Sequence, residues 1–172
     1  MIWDQVSPHP RTKCQYTFGM FDYRLEHLFT YTAGLKLPPE VIGPIPVGIR
    51  ATAYVTGGRL DGPRLKGQVL PVGGDWLLLR TDGIGLVDVR LTLETHDGVL
   101  IFMTYTGVID LGLDGYNQFL AGKMPPNFPV RTAPRFQTGH PDYVWLNRLQ
   151  CLGIGEADLG ASSVTYDVYG VT

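Results

Sequence analysis

The chain has 172 residues, of which 44% are hydrophobic and 17% are charged, a composition typical of a folded domain. Its formal net charge of −2 leaves no basic surplus, which argues against non-specific binding to nucleic acid or to anionic membrane surfaces. No window approaches the roughly twenty apolar residues that a membrane-spanning helix needs. We therefore expect one domain over residues 1–172, with no nucleic-acid partner and no membrane partner.

The amino-terminal segment, residues 1–15, reads MIWDQVSPHPRTKCQ. It lacks the uninterrupted apolar stretch of a signal peptide, and we interpret it as an extended arm. The two cysteines, Cys14 and Cys151, lie far apart without metal or redox spacing. Two reduced thiols are favoured over a disulfide, and the expected location is cytoplasmic.

The 22 glycines and 13 prolines separate short segments that are alternating or wholly apolar. Turn signals such as GGRLDGP at 57–63, VGGD at 72–75, TDGIG at 81–85 and THDG at 95–98 lie between them. Short apolar runs joined by Asp-Gly turns favour antiparallel strands, closed as a barrel of about eight strands or folded as a sandwich. The candidate strands are Leu28–Leu37, Gly48–Thr56, Leu65–Leu70, Trp76–Arg80, Val87–Thr95, Val99–Ile109, Leu149–Gly155 and Val164–Val171.

The region 111–148 departs from this pattern because it is rich in aromatic residues and proline. Long irregular loops in compact domains are usually functional covers or linkers. We expect a covering loop here, with a short helix around Tyr116–Ala121 and a turn of helix around Tyr143–Arg148.

Alternation with a period of two assigns the side chains of each strand to two faces. In GIRATAYVT, Arg50 and Tyr54 share one face, and Ala51 and Val55 share the other. The ordinary assignment places every polar face in water. The alternative is a barrel whose lumen is partly polar and holds a ligand, with its apolar faces against covers or subunits.

The familiar signatures of catalysis are missing from the sequence. The four histidines, at positions 9, 27, 96 and 140, do not pair with one another or with cysteine at ligand spacing, so no metal site is expected. No phosphate-binding glycine loop and no nucleophile elbow is present. We expect neither a metal nor a cofactor.

Several charged residues lie beside apolar segments, where an arginine is costly unless an anion pairs with it. Asp75 follows two glycines and precedes Trp76 at the head of an apolar run. A structural ion pair with an arginine is one interpretation. In the other, Asp75 is a desolvated acid or base, and an arginine or a phenol stabilises a developing oxyanion. The candidates for catalysis are Asp75, Arg50, Arg90 and Tyr105, and those for substrate binding are Trp76, Asp88, Arg131, Phe136, His140, Trp145 and Asn147.

Five segments, in order along most of the chain, resemble an uncharacterised family known as domain of unknown function 3237, or uncharacterised protein family 0311. They are PIPVGIR, GGRLDGPRLKGQVLP, GGDW, LVDVRLTLETHDGVLIF and RTAPRFQTGHPDYVWLNR. The resemblance implies an antiparallel β-barrel similar to those of allene oxide cyclase and dirigent proteins. By matching motif it also implies a pocket formed by Arg50, Asp75, Trp76, Asp88, Arg90, Arg131 and Asn147, although Asn147 is as well suited to capping a turn.

Three functions are compatible with these observations. The first is a cofactor-independent isomerase, cyclase or lyase that acts on a small hydrophobic carbonyl or phenolic compound, with Asp75 as acid or base. The second is a barrel that binds a small molecule without catalysis, which requires the lumen but not Asp75. The third is a structural subunit whose apolar strand faces form a homo-oligomer.

Overall fold

The structure, a computed structural model, describes residues 20–172. The arm predicted for residues 1–15, with His9 and Cys14, lies outside the described residues. Ten strands, one helix and one 3-10 helix form the described part. The strands are β1 (Leu25–Leu35), β2 (Glu40–Ile45), β3 (Gly48–Asp61), β4 (Gly67–Leu79), β5 (Ile84–Thr95), β6 (Leu100–Asp110), β7 (Asn127–Thr132), β8 (Arg135–Gln137), β9 (Gln150–Asp158) and β10 (Ser163–Val171); α1 is Gly115–Leu120, and the 3-10 helix is Val144–Arg148.

The sheet closes on itself as an antiparallel barrel, as the sequence predicted. The order of strands is β1-β10-β9-β7-β6-β5-β4-β3, and β3 pairs with β1 to close the wall. The two additional strands extend this wall: β2 pairs with the first residues of β3, and β8 pairs with β6 at Phe102–Thr104. Closure leaves the eight wall strands hydrogen-bonded on both sides.

Two glycine pairs that were predicted to form turns lie inside strands instead. A Cβ atom on Gly58 would lie 2.0 Å from the carbonyl oxygen of Thr32, and one on Gly73 would lie 2.0 Å from that of Arg90. Gly73 also has a φ of +92°, which side chains disfavour. These glycines therefore mark close approach of neighbouring strands, and the two strands predicted at 65–80 are one strand, β4.

The predicted covering loop at 111–148 is only partly a cover. Residues 111–126, with α1, connect β6 to β7 at one end of the barrel. Residues Asn127–Thr132 are a wall strand that pairs with both β6 and β9. The prediction missed this strand because Pro129 interrupts it and only a few residues carry strand character. The two short helices are close to their predicted positions.

The interior is divided into a packed end and an open end. At the packed end, fully buried side chains fill the barrel, and Leu146 of the 3-10 helix closes it with 0% exposure. Each such side chain contributes about 1.5–3 kcal/mol through burial. At the open end, where β4 finishes and β5 begins, the inward residues surround a cavity. The packed end is formed by Leu28, Phe29, Leu93, Ile101, Met103, Phe136, Leu146 and Val168.

Helical structure in residues 20–172 is confined to short segments. No helix there combines the length and the hydrophobicity that would be needed to cross a membrane.

Candidate active site

A cavity of about 250 Å³ occupies the open end of the barrel. Its wall is formed by small and branched apolar side chains from the inward faces of the strands. Leu37 and Pro38, which connect β1 to β2, also line it, as do Phe119 and Met124 from the segment after β6. The strands supply a fixed wall, and connecting segments supply the residues at the mouth.

Asp75 introduces a carboxyl group into this apolar wall. Its Oδ1 atom accepts a hydrogen bond of 3.0 Å from the backbone N–H of Asp88. Within residues 20–172, its Oδ2 atom makes no hydrogen bond. Burial raises the pKa of Asp75 from 3.8 to about 6, partly offset by the bond from Asp88. At neutral pH the ionised carboxylate is therefore the predominant form.

Tyrosines 31, 105 and 166 form a group beside this carboxylate. The hydroxyl of Tyr31 donates to the hydroxyl of Tyr105 at 3.0 Å. The ring of Tyr166 stacks on that of Tyr31 with centroids 5.2 Å apart, and it meets the ring of Tyr105 edge-on at 5.7 Å. Burial raises the pKa of all three phenols well above 10, and the charge of Asp75 raises each further. At neutral pH the phenols therefore stay protonated and act as hydrogen-bond donors.

Strand register places Asp75 and Tyr105 at one level of the barrel. Asp75 pairs with Val89 across β4 and β5, and Val89 pairs with Tyr105 across β5 and β6. With strands about 4.8 Å apart, the backbones at Asp75 and Tyr105 are separated by about 10 Å. Both side chains line the cavity, so a ligand atom that enters between them meets a carboxylate on one side and a phenol on the other.

The space around Tyr166 depends on glycines in β9. A Cβ atom on Gly155 would lie 2.3 Å from Cδ1 of Tyr166, so the ring lies directly against the backbone of β9. The next inward position holds Gly153, where a Cβ atom would lie 2.2 Å from the hydroxyl of Thr132. This Thr132 hydroxyl is buried and has no hydrogen-bond partner among the described residues.

Four of the predicted site residues lie on the outer face of the barrel. Arg90 pairs with Asp88 at 3.1 Å and lies over the ring of Trp76 at 5.2 Å. Arg50 donates to the backbone oxygen of Trp76 at 2.9 Å. The prediction that Arg50 and Arg90 face the lumen is wrong, because strand alternation puts apolar neighbours inward and keeps the charged groups near water. The ordinary assignment of the faces holds for both strands.

Another predicted residue, Arg131, is also directed away from the cavity. Its guanidinium donates to the backbone oxygens of Val130 and Gly155 at 2.9 and 3.1 Å, and Val130 is the neighbour that lines the cavity. On the outer face of the barrel, Arg131 thus links the backbones of β7 and β9, which is a structural role.

The remaining predicted residues lie at the packed end. Phe136 is buried against Phe29 with ring centroids 6.0 Å apart. Arg64 lies over the ring of Trp145 at 4.6 Å. Asn147 exchanges hydrogen bonds with the backbone of Thr138, the turn-capping role weighed from the sequence. His140 accepts from the backbone N–H of Asp142. None of these four lines the cavity.

Sequence reasoning found Asp75 and Tyr105 but missed Tyr31 and Tyr166. The available signal was a tyrosine at an inward position of an apolar strand, which recurs in β1, β6 and β10. A phenol on the buried face of a strand needs a hydrogen-bond partner. Because three strands each carry such a phenol, the three phenols are natural partners for one another.

Residues 20–172 contain no group of three or more His, Cys, Asp or Glu side chains placed to hold a metal ion. Cys151 is a buried free thiol, and burial raises its pKa to about 11.

The fold and the site together define a closed antiparallel β-barrel with an apolar cavity at one end and a buried acid in its wall. The chain belongs to the family described as Protein of unknown function (DUF3237), whose model matches residues 23–171. It is 32% identical to a UPF0311 protein of Rhodopseudomonas palustris over 148 residues, covering 85% of this chain and 95% of that one. The expected family membership is thereby confirmed.

Solved structures share the barrel. A beta-barrel like protein from Acinetobacter baumannii matches with a TM-score of 0.76 and 31% identity, over 90% of this chain and 99% of that one. A protein described as an enzyme from Penicillium herquei matches with a TM-score of 0.61 over 97% of this chain and 100% of that one. Its identity of 22% makes this a likeness of fold.

Proposed function

We propose that this protein is a cofactor-independent enzyme, an isomerase, cyclase or lyase, that transfers a proton in a small hydrophobic carbonyl or phenolic compound. The observation that carries the proposal is the Oδ2 atom of Asp75, a carboxylate oxygen without a hydrogen bond in the described structure, in the wall of an apolar cavity. A structural carboxylate in such surroundings would normally be paired. A carboxylate with a pKa of about 6 is ionised at neutral pH and is more basic than an ordinary aspartate, which favours general base catalysis.

The chemistry follows from the positions of the side chains. Asp75 removes a proton from the carbon next to a carbonyl, and the electron pair of the broken C–H bond becomes that of an enolate. The hydroxyl of Tyr105 or Tyr166 donates to the enolate oxygen. The protonated Asp75 then gives the proton to a conjugated carbon, which completes an isomerisation, whereas return to the original carbon regenerates the substrate and allows exchange of its proton with solvent. General acid–base catalysis of this kind contributes about 10²–10⁴-fold in rate.

The phenols replace the arginines in this mechanism. Arg50 and Arg90 were expected to stabilise the oxyanion, but both lie outside the cavity. A protonated phenol is a neutral donor whose strength increases in a dry site. Because burial keeps the phenols protonated, they can donate throughout the neutral range.

The Penicillium barrel supports the proposal only in a general way. That protein is described as an enzyme, which is consistent with catalysis on this architecture, but a shared fold does not transfer an activity. The argument therefore rests on Asp75 and the tyrosines of this chain.

A proton-exchange assay tests the proposal directly. The protein is incubated in heavy water with small enolisable ketones, beginning with 2-tetralone, and loss of the proton next to the carbonyl is followed by NMR. We expect exchange above the buffer rate, a decrease of about 100-fold or more in Asp75→Asn, and about tenfold in Tyr105→Phe. Asp61→Asn, which changes an exposed carboxylate on the surface, is the matched control and should retain the wild-type rate.

The result also separates the enzyme from a binding barrel. The apolar cavity wall favours a non-catalytic carrier as the second candidate, because it would hold a hydrophobic molecule without any chemistry. A ketone that binds but exchanges no faster with wild type than with Asp75→Asn would reject catalysis and favour the carrier.

A further inference from the structure

The charge of the cavity wall restricts its ligand. Among the described lining residues there is one carboxylate, Asp75, and no lysine, arginine or histidine. A carboxylate or phosphate on the ligand would meet like charge in an apolar site with no cation to pair with, which strongly opposes binding. The wall therefore excludes anions. The proposed reaction also requires Asp75 to be unpaired, which a cationic ligand would prevent, and this leaves an uncharged molecule.

The distribution of polar groups gives the ligand a direction. Ile109 pairs with Gly85 near the open end, and Tyr105 lies four residues deeper along β6, or about 13 Å of strand. The polar side chains Asp75 and Tyr105 thus lie deep, whereas Phe119 and Met124 at the mouth are apolar. A ligand that satisfies both regions has its polar atom inside and its hydrocarbon body outward.

The volume limits the size of the ligand. The cavity has a volume of about 250 Å³. It lies just below the roughly 300–1,000 Å³ of pockets that take drug-sized ligands. A molecule of about a dozen non-hydrogen atoms, such as a bicyclic ketone, has the appropriate size.

We infer that the cavity takes an uncharged, largely apolar ketone, enone or lactone of about a dozen non-hydrogen atoms, with its carbonyl oxygen toward Tyr105 and its hydrocarbon body toward Phe119 and Met124. This inference rests on the proposed function, because that function requires a carbonyl beside Asp75. The inference goes further than the proposed function because it excludes negatively charged substrates, namely carboxylic acids, phosphates and thioesters that carry a phosphate. It also predicts that Asp75 enforces this exclusion.

Calorimetric titration at pH 8 with matched probes tests the charge rule. The probes are 2-tetralone, the neutral phenol 2-naphthol, and the anion 2-naphthoate, which share a bicyclic body. We expect the two neutral probes to bind at least about tenfold more tightly than 2-naphthoate. Asp75→Asn should improve 2-naphthoate binding by about tenfold and change 2-tetralone binding by only about twofold. Asp61→Asn is the control and should change neither.

A second variant tests the size rule. Ala51 lines the cavity and is 1% exposed, so Ala51→Leu should fill part of the space. We expect it to weaken 2-tetralone binding about tenfold while cyclohexanone binding changes little. Thermal unfolding of the variant checks that it is folded. If Ala51→Leu does not fold, failure of a four-ring ketone to bind the wild type is the equivalent result.

The outcomes separate this inference from the proposed function. Equal binding of 2-naphthoate and 2-tetralone, tight binding of the four-ring ketone, or no binding of any probe would overturn the ligand class. Binding of 2-tetralone without exchange that depends on Asp75 would overturn the enzyme and leave the ligand class standing. Exchange that depends on Asp75, together with a preference for the anion 2-naphthoate, would overturn the ligand class and leave the enzyme standing.

Discussion

The Asp75→Asn variant should be more stable than the wild type at neutral pH. The substitution keeps the shape of the side chain and an Oδ1 atom that can still accept from the N–H of Asp88. It removes a carboxylate that burial destabilises in the folded state. The unfolded chain exposes the same carboxylate to water, so the penalty applies only to the folded protein.

The magnitude follows from the two pKa values. The folded value of about 6 exceeds the reference value of 3.8, and each pKa unit corresponds to about 1.4 kcal/mol. Because the folded pKa is the higher one, the wild type has its full stability below pH 3.8 and loses about 3 kcal/mol as the pH rises through about 6. Above that pH the loss is constant. The advantage of Asp75→Asn should therefore grow between about pH 4 and pH 6.5 and then level off.

Urea unfolding of both proteins from pH 4 to pH 8 measures this difference. The Asp61→Asn control removes a carboxylate whose side chain is 76% exposed, and it should show no comparable growth. A difference between wild type and Asp75→Asn that stays flat over the whole range would refute the reasoning. Asp75 would then be hydrated, and its role as a base of raised pKa would fail with it.

Three further outcomes test other parts of the structure. Gly155→Ala should lower the free energy of unfolding in urea by about 1–3 kcal/mol and weaken 2-tetralone binding, because the added methyl group displaces the Tyr166 ring. Wild-type values for both measurements would contradict the packing of that ring. Thr132→Val should stabilise the protein by about 1 kcal/mol, since it removes a buried hydroxyl without a partner, and a loss of stability would mean that the hydroxyl is satisfied. Arg90→Ala should keep the wild-type exchange rate and cost about 0.5–1 kcal/mol through its lost contact with Trp76; a large fall in rate would return Arg90 to the site.

The sequence was a good guide to the strands and their faces. Alternation in β5 separates Val89 and Leu91 from Asp88 and Arg90, and the structure keeps this division. The error concerned which face turns inward. Closure of a small barrel buries one face of every strand. The uncharged face is buried because removing it from water is favourable, whereas removing a charged face from water is costly.

Convergence of residues from distant strands was beyond single-sequence reasoning. Tyr31 and Tyr105 are 74 positions apart, yet their hydroxyls are 3.0 Å apart. Local patterns describe what each strand buries, but the level at which strands meet depends on register and on bulges such as that between Val69 and Gly73. Asp75 was identifiable because a carboxylate beside Trp76, at the head of an apolar run, is anomalous within a single local segment.

The division of the barrel into two ends separates the tasks of its residues. The packed end anchors the fold, and the polar groups Asp75 and Tyr105 stand on rigid strands in the wall. The mouth, in contrast, is assembled from Leu37, Phe119 and Met124 on connecting segments, which tolerate replacement far better than strands do. In a protein with this architecture, substitutions in the connecting segments at the mouth can change which molecule is accepted, while the reacting groups and the strands that carry them stay the same.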